Sequence, residues 1–293
     1  MKKYSNSLIA LITILLIYYF PSNAEENKTK KIISLSPSAT EQIFVLGRGD
    51  DLVACSEYCI HPPQAQNKEK IGSLLSVNIE KILTLNPDII VTSYHTKPII
   101  IEKLKSFGFE ILIQNTPSNF DEFYMQFIEL AEKINEKKRA IEITKSAKNK
   151  LIKISNLLSP LKQKPKALIQ IGVKPIYLAG DELFVSDFIK YSGATNLLKN
   201  KRSGTYSREF IISEKPDFIF IVISGAMAEE EKRQWEKFDS IPAVQNSRVY
   251  TLDSYQICSP NPIKLPDTVA KIAKILHPDK IEEINKLVND ESN

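Results

Sequence analysis

The side chains able to do chemistry are few and scattered. The chain holds three histidines, His61, His95 and His277, and three cysteines, Cys55, Cys59 and Cys258. A multi-histidine metal centre would consume nearly the whole stock. Three dispersed histidines with Cys59 match a four-ligand zinc or manganese site poorly. No resident metal or cofactor is therefore expected. His95 follows the apolar run 89–92, which reads as a strand, and parallel sheets present ligands at the carboxyl ends of their strands. It is either a ligand to a bound iron or cobalt or an ordinary polar loop residue. His61 precedes Pro62 and reads as part of a fixed turn, while His277 falls at the end of a closing helix. The cysteines allow three pairings and leave one thiol over. A Cys55–Cys59 bond fits a turn, a Cys59–Cys258 bond would tie distant segments, and the spacing does not choose.

Catalytic signatures are missing. The chain has no G-x-S-x-G elbow, no H-E-x-x-H helix and no G-x-x-x-x-G-K-S/T loop, and only nine glycines. A Cys59 thiol with His61 or His95 is the one nucleophile–base arrangement on offer, and it lacks an oxyanion signature. The expectation is a protein that is not an enzyme.

Composition bounds the remaining classes. Lys and Arg number 39 against 35 Asp and Glu, for a formal charge of +4, with 43% hydrophobic and 25% charged residues. That is a globular mixture, too evenly charged for a broad nucleic-acid-binding face. Residues 1–24 read as a cleavable export signal: Lys2 and Lys3, an apolar run over 8–20 broken by Thr13, then Ser22 and Ala24 before the cut. The run is shorter than the roughly 20 residues that span a bilayer, and no Cys ends it for lipid attachment. Losing its two lysines lowers the charge from +4 to +2. The mature chain is expected in the periplasm, an oxidising compartment.

The elements that must position these residues alternate between helix and strand. In 25–134 the order is strand 32–35, a Ser-Pro break, a helix over 40–46, then strand, helix, Pro stop, buried strand 89–92, helix and strand. This predicts an α/β lobe with a mostly parallel sheet. Residues 119–158 are nearly free of Gly and Pro. Ile134, Ile141, Ala147, Leu151, Ile154 and Leu158 recur at helical spacing. A connecting segment over 135–160 is expected, with a helix of about 24 residues or roughly 36 Å that starts near Asn135 and ends before Pro160. A second α/β lobe then occupies 161–293. The stretch "NIEKILTLNPDIIVTS" is echoed by "SREFIISEKPDFIFIVIS", each with a Glu near the helix start, Pro-Asp, an apolar strand and Ser. One copy per half predicts two lobes of similar topology. Glu80 and Glu209 head these helices, where an acid complements the macrodipole.

At this point the residues carry a resemblance. The segment 32–93 pairs Ser36-Pro37-Ser38-Ala39-Thr40-Glu41 with a His61-Pro62-Pro63 turn, an Ile71-Gly72 step and Glu80-x-Ile82 leading to Pro87-Asp88. It resembles the N-terminal lobe of periplasmic substrate-binding proteins of ABC importers, in the subgroup that binds cobalamin, iron-siderophores and haem. His61 stands where that family usually has Tyr. The second half is similar too, in "IYLAGDELFVSDFIKYSGATNLL" and "SREFIISEKPDFIFIV".

The resemblance implies two lobes joined by one long helix, a ligand cleft between them, and a monomer that delivers a small molecule to an inner-membrane permease, with no nucleic acid involved. It assigns Glu80 and Glu209 to docking on arginines of that permease. It places Tyr58, Leu74, His95, Ile171, Tyr177, Tyr206, Tyr255 and Gln256 at the ligand. Cobalamin is the first expectation, since Tyr58 matches an aromatic of cobalamin binders, and haem or a ferric siderophore the second. Leu74 stands where some cobalamin binders carry Trp, and the 203–206 loop lacks another. Arg202 and Arg208 are candidate anchors for an anionic chelate, with Arg208 expected to pair with its neighbour Glu209.

Overall fold

The computed structural model describes residues 30–73, 75–223 and 225–289. The export segment and Leu74 lie outside the described residues.

The repeated motif folds into the same device twice. In the first half, Asn78 accepts a hydrogen bond from the Lys81 amide (3.0 Å) and caps helix Ile79–Leu85. The helix stops at Asn86 in the left-handed region (φ 46°). Pro87 follows, and Asp88 Oδ2 accepts the Lys31 amide at 2.7 Å, locking strand Ile89–Ser93 to its neighbour. In the second half, Ser207 caps helix Arg208–Glu214 and Lys215 (φ 50°) ends it. Asp217 Oδ2 then accepts the Lys166 amide at 2.8 Å ahead of strand Phe218–Val222. A capped short helix, an αL stop and Pro together leave the chain one way to turn into the sheet.

The first sheet takes strands β1 (Ile32–Ser34), β2 (Leu52–Cys55), β3 (Glu69–Lys70), β4 (Ile89–Ser93) and β5 (Glu110–Gln114), in the order β3-β2-β1-β4-β5, all parallel. Helices α1 (Pro37–Val45), α2 (Ile79–Leu85), α3 (Pro98–Ser106) and α4 (Phe120–Lys133) accompany it. Helix α5 (Lys137–Leu158) follows. The second sheet holds β6 (Lys166–Val173), β7 (Ile176–Leu178), β8 (Thr195–Asn196), β9 (Gly204–Thr205), β10 (Phe218–Val222) and β11 (Val249–Leu252). Its order is β11-β10-β6-β7-β9, with β8 beside β6. Around it lie α6 (Val185–Tyr191), α7 (Arg208–Glu214), α8 (Ala226–Trp235), α9 (Pro242–Gln245), α10 (Ser254–Cys258), α11 (Leu265–Leu276) and α12 (Ile281–Asn289). This sheet is more mixed than the first, because β6 and β7 pair antiparallel across a tight Lys174-Pro175 turn and β9 pairs antiparallel with β7.

Strand residues alternate between cores as the pleat requires. On β10, Phe218, Phe220 and Val222 join one cluster while Ile219 and Ile221 join another. The first of these clusters runs without interruption from Ile32 and Ile89 through α4 and α5 to Phe188 and Val269. The two lobes thus share a core, and α5 packs on α4 of one side and on α6, α11 and α12 of the other.

Helix α5 has 22 residues, starting two residues later than expected. Asn135 adopts φ 62° and the Glu136 amide turns back to the Ala131 carbonyl (2.7 Å), so a new helix cannot begin before residue 137. Its buried stripe is Ala140, Thr144, Ala147, Leu151, Ile154 and Leu158, alternating steps of four and three. Ile141 falls off that stripe and is exposed, contrary to its expected packing. Each fully buried Leu or Ile of the stripe contributes about 1.5–3 kcal/mol.

At the end of α11, His277 is buried and its Nε2 lies 3.1 Å from the Ser192 carbonyl. Gly193 beside it has φ 79°, and a Cβ there would come within 2.9 Å of His277 Nε2. Burial holds the imidazole below its usual range, because the charged form loses its water. The unfolded chain, with an unperturbed value of about 6.5, then binds more protons than the folded one. Stability should fall as pH drops through about 6.5 toward the depressed folded value. Urea unfolding midpoints at neutral and mildly acid pH test this. The pH dependence should be weaker in His277→Gln, and an equal acid loss in both proteins would remove His277 as its source.

Candidate functional site: an interlobe cleft

In the first sheet the strand order reverses at β1, where β2 leads to one side and β4 to the other. Crevices at such points lie beyond the carboxyl ends of the strands. A cavity of about 280 Å³ sits there, lined by Ser36, Ser93, Tyr94 and His95 and by Asn115 after β5, with Phe184 and the turn Cys258, Ser259, Pro260 of the other lobe opposite. Ser36 caps α1 through the Ala39 amide, and Gln114 Nε2 donates to Gln42 Oε1 at 2.9 Å, fixing the floor. The Tyr94 and His95 rings are exposed and tilted against each other, 4.0 Å between centroids.

A second cavity, about 400 Å³, is polar and also spans the lobes. Glu41, His61, Tyr255, Gln256 and Asn261 line it, with Asp253, Asp267, Lys264 and Lys271. The His61 and Tyr255 rings lie 4.4 Å apart, and Asn261 Nδ2 donates to Glu41 Oε2 at 2.7 Å. The Tyr255 hydroxyl is buried and makes no hydrogen bond. Burial first, and Glu41 second, push its pKa well above the ordinary phenol value.

The third cavity is the largest, about 800 Å³, and sits at the carboxyl ends of β6 and β10. Ile171, Val173, Ile176, Ile223 and Met227 give it apolar walls, and Arg208 and Glu231 line its base. Arg208 Nη2 donates to both oxygens of Glu231, at 2.7 and 2.9 Å. Gln170 donates to the same carboxylate (2.9 Å) and accepts the Trp235 indole N–H (2.8 Å). The guanidinium also stacks over the Trp235 ring at 4.4 Å. Arg208 therefore pairs with Glu231 and not with its neighbour Glu209, since the two adjacent side chains leave the helix on different faces. Arg208 Nη1 is buried without a partner.

The expected ligand residues separate into groups. His95 lines the first cavity, Tyr255 and Gln256 the second, and Ile171 the third. Tyr58, Tyr177 and Tyr206 line none of the three. Tyr58 is 65% exposed in the loop after β2, and Tyr177 stands on β7 opposite Thr205. Tyr206 packs on Phe210 (4.8 Å) and donates to the Arg202 carbonyl (2.7 Å). Met227 and Asn261 escaped notice in the sequence, Glu41 stood out only as part of its motif, and Tyr94 was passed over although it adjoins His95 just past its strand. Among the described residues no group of three His, Cys, Asp or Glu side chains is placed to hold a metal ion.

Glu80 and Glu209 occupy the first turns of α2 and α7, both exposed. The Glu209 carboxyl is held below the usual range, by its own backbone amide first, then by the Ser207 hydroxyl.

Two α/β lobes on a common helical core, with cavities at the carboxyl ends of both sheets, define a two-lobed solute-binding protein. A family model described as periplasmic binding protein matches residues 32–256, and the chain belongs to that family. It is 28% identical to the uncharacterized ABC transporter substrate-binding lipoprotein YvrC of Bacillus subtilis, over 88% of this chain and 83% of that one. Among solved structures it is similar to the periplasmic vitamin B12 binding protein BtuF of Vibrio cholerae (TM-score 0.67, 28% identity, 84% and 96% of the two chains). It is also similar to a possible iron-binding periplasmic protein of Staphylococcus epidermidis (TM-score 0.74, 26% identity, 85% and 99%). Among the described residues no helix is long and apolar enough to cross a membrane.

Proposed function

We propose that this protein is the exported solute-binding component of an ABC importer, capturing a corrinoid, with cobalamin first, and presenting it to an inner-membrane permease. It acts as a monomer and a carrier, with no catalytic step. The observation that carries the ligand class is the concentration of large apolar side chains left in solvent past the carboxyl ends of strands. Tyr58 and Ile60 follow β2, Leu75 follows β3, Tyr94 follows β4 and Met227 follows β10, all 47% exposed or more. Such side chains suit a broad, mostly apolar ligand with few polar anchors. The likeness to a vitamin B12 binding protein supports cobalamin. Haem or a ferric siderophore is the second reading, favoured by the likeness to a possible iron-binding protein and by the unpartnered Arg208 Nη1 at the third cavity. The reading includes a cleavable signal over 1–24, lobes over 25–134 and 161–293, and a connecting helix over 135–160. Glu80 and Glu209 are its permease contacts, one on each lobe.

Trp235 is the only tryptophan, and its stacking partner Arg208 lines the third cavity. Titration of the mature protein with cobalamin, haem and ferric siderophores should give saturable quenching of its fluorescence by cobalamin. Saturable quenching by haem with none by cobalamin would replace the first ligand with the second.

A further inference from the structure

We propose that Cys55 and Cys59 are a disulfide-forming pair, joined to each other and not to Cys258 once the chain reaches an oxidising compartment. The proposal takes its compartment from the export reading above, and its geometry from the end of β2. There the Ser56 amide bonds to the Ser34 carbonyl (2.9 Å), and the Cys59 amide then turns back to the Ser56 carbonyl (3.0 Å). This turn returns Cys59 to the strand that Cys55 ends. Both residues are fully buried, and the structure holds them as thiols, with Lys70 Nζ reaching Cys55 Sγ and the Cys59 carbonyl alike.

The surrounding groups are polar and specific. Thr40 Oγ1 lies 3.1 Å and Ser56 Oγ 3.3 Å from Cys59 Sγ. Lys70 Nζ donates to Cys55 Sγ (3.2 Å) and to the carbonyls of Cys59 (3.0 Å) and Ala65 (2.9 Å). A plain structural cysteine in an apolar core has no such company. In the packed thiol form, interaction with Cys55 first and hydrogen bonds from Ser56 and Thr40, working against burial, hold the Cys59 thiol down at about 6, while Cys55 is pushed up. Cys258 differs: it ends α10 on the other lobe, exposed in the wall of the first cavity.

The chemistry is thiol–disulfide exchange with a protein disulfide as oxidant. The Cys59 thiolate attacks one oxidant sulfur, forming a mixed disulfide and releasing the other as thiolate. Cys55 gives up its proton and attacks the Cys59 sulfur, closing the Cys55–Cys59 bond and releasing the second oxidant sulfur. Two thiols here lose two electrons and two protons, and the oxidant disulfide becomes a dithiol. Because both sulfurs are buried, exchange takes place before the 55–65 loop packs. The bond would close the 56–58 loop that carries Tyr58 and anchor the start of the segment that leads on to Ile60 and His61.

The test has two arms. In the first, the full chain is exported in a bacterial host, unfolded without reductant, and its thiols are counted and its disulfide peptides mapped. One free thiol of three, a mass about 2 Da below the fully reduced chain, and a 55–59 linkage are expected, and Cys258→Ser should leave none free. In the second, a chain starting at Glu25 is made in a reducing cytoplasm, unfolded, and refolded in oxidised and reduced glutathione. The same linkage is expected. Three free thiols in the refolded chain, or a linkage to Cys258 in either arm, would overturn the pairing. A correct linkage in the refolded chain with three thiols in the exported preparation supports the pair and counts against the compartment alone.

Discussion

Reversing Glu80 and Glu209 together to lysine should abolish ligand uptake by cells that carry the cognate permease, while the purified protein keeps its ligand affinity. Like charges set against each other at an interface cost several kcal/mol, and every 1.4 kcal/mol is tenfold. Two reversed contacts should therefore weaken permease docking by at least about 100-fold. Both acids are exposed and head capped helices with the same αL stop and the same Pro-Asp lock into a sheet. Complementing the macrodipole is their other role, and it is worth only about 0.3–1 kcal/mol per acid. The two roles come apart in one set of measurements. Docking predicts lost uptake with thermal stability nearly unchanged, and single reversals with intermediate effects. Normal uptake by the double variant would refute docking and leave the acids as helix-end charges.

Arg208→Ala should be the most destabilising single substitution in the cleft, costing about 3–5 kcal/mol. Glu231 is 2% exposed, and both of its oxygens accept from Arg208. Removing the guanidinium strands a buried carboxylate, which costs far more than the pair itself contributes. Adding Glu231→Gln to Arg208→Ala should recover most of the loss. The amide is uncharged and can still accept from Gln170, which donates to Glu231 at 2.9 Å and accepts from Trp235. Urea unfolding of the two variants measures this. A loss under about 1 kcal/mol for Arg208→Ala, or no recovery in the double variant, would mean that water reaches Glu231 and the pair is not insulated. Trp235 emission should also shift in Arg208→Ala, since the cation over its ring is gone.

What the sequence made legible was local. Pro87 and Pro216 are read directly as helix stops ahead of a strand, because each acts on its immediate neighbours. The alternation of helix and strand followed from them, and so did the long helix. Ile141 groups with the apolar run of α5, but it directly follows the stripe residue Ala140, and one residue's turn of about 100° carries it off the buried face. The sequence misplaced what depends on distant partners. Glu231 pairs with Arg208 across 23 positions in the chain, and nothing local prefers it to the adjacent Glu209. The second sheet is mostly parallel as expected, but the hairpin of β6 and β7 at Lys174 and Pro175 adds antiparallel pairs that nothing in the repeat announces. Strand-end position singled out His95, and the resemblance singled out Ile171, Tyr255 and Gln256; each lines a cavity. It was not legible at the level of side-chain direction, so Tyr206 points into packing and to a backbone carbonyl.

Helix α5 carries one further consequence. A rod of 22 residues buried along one stripe between two lobes, with a hydrophobic core continuous across them, resists bending as a strut does. The soft motions left to such a body are small twists and slides of one lobe against the other, since opening would pull apart packed side chains. On the importer reading, the slot then stands open with or without cargo. Capture is limited by how often a bulky ligand arrives edge-on, and the escape rate is set by the walls. Unloading becomes work done by the transporter, which must lever the lobes apart through the two exposed acids, one on each lobe.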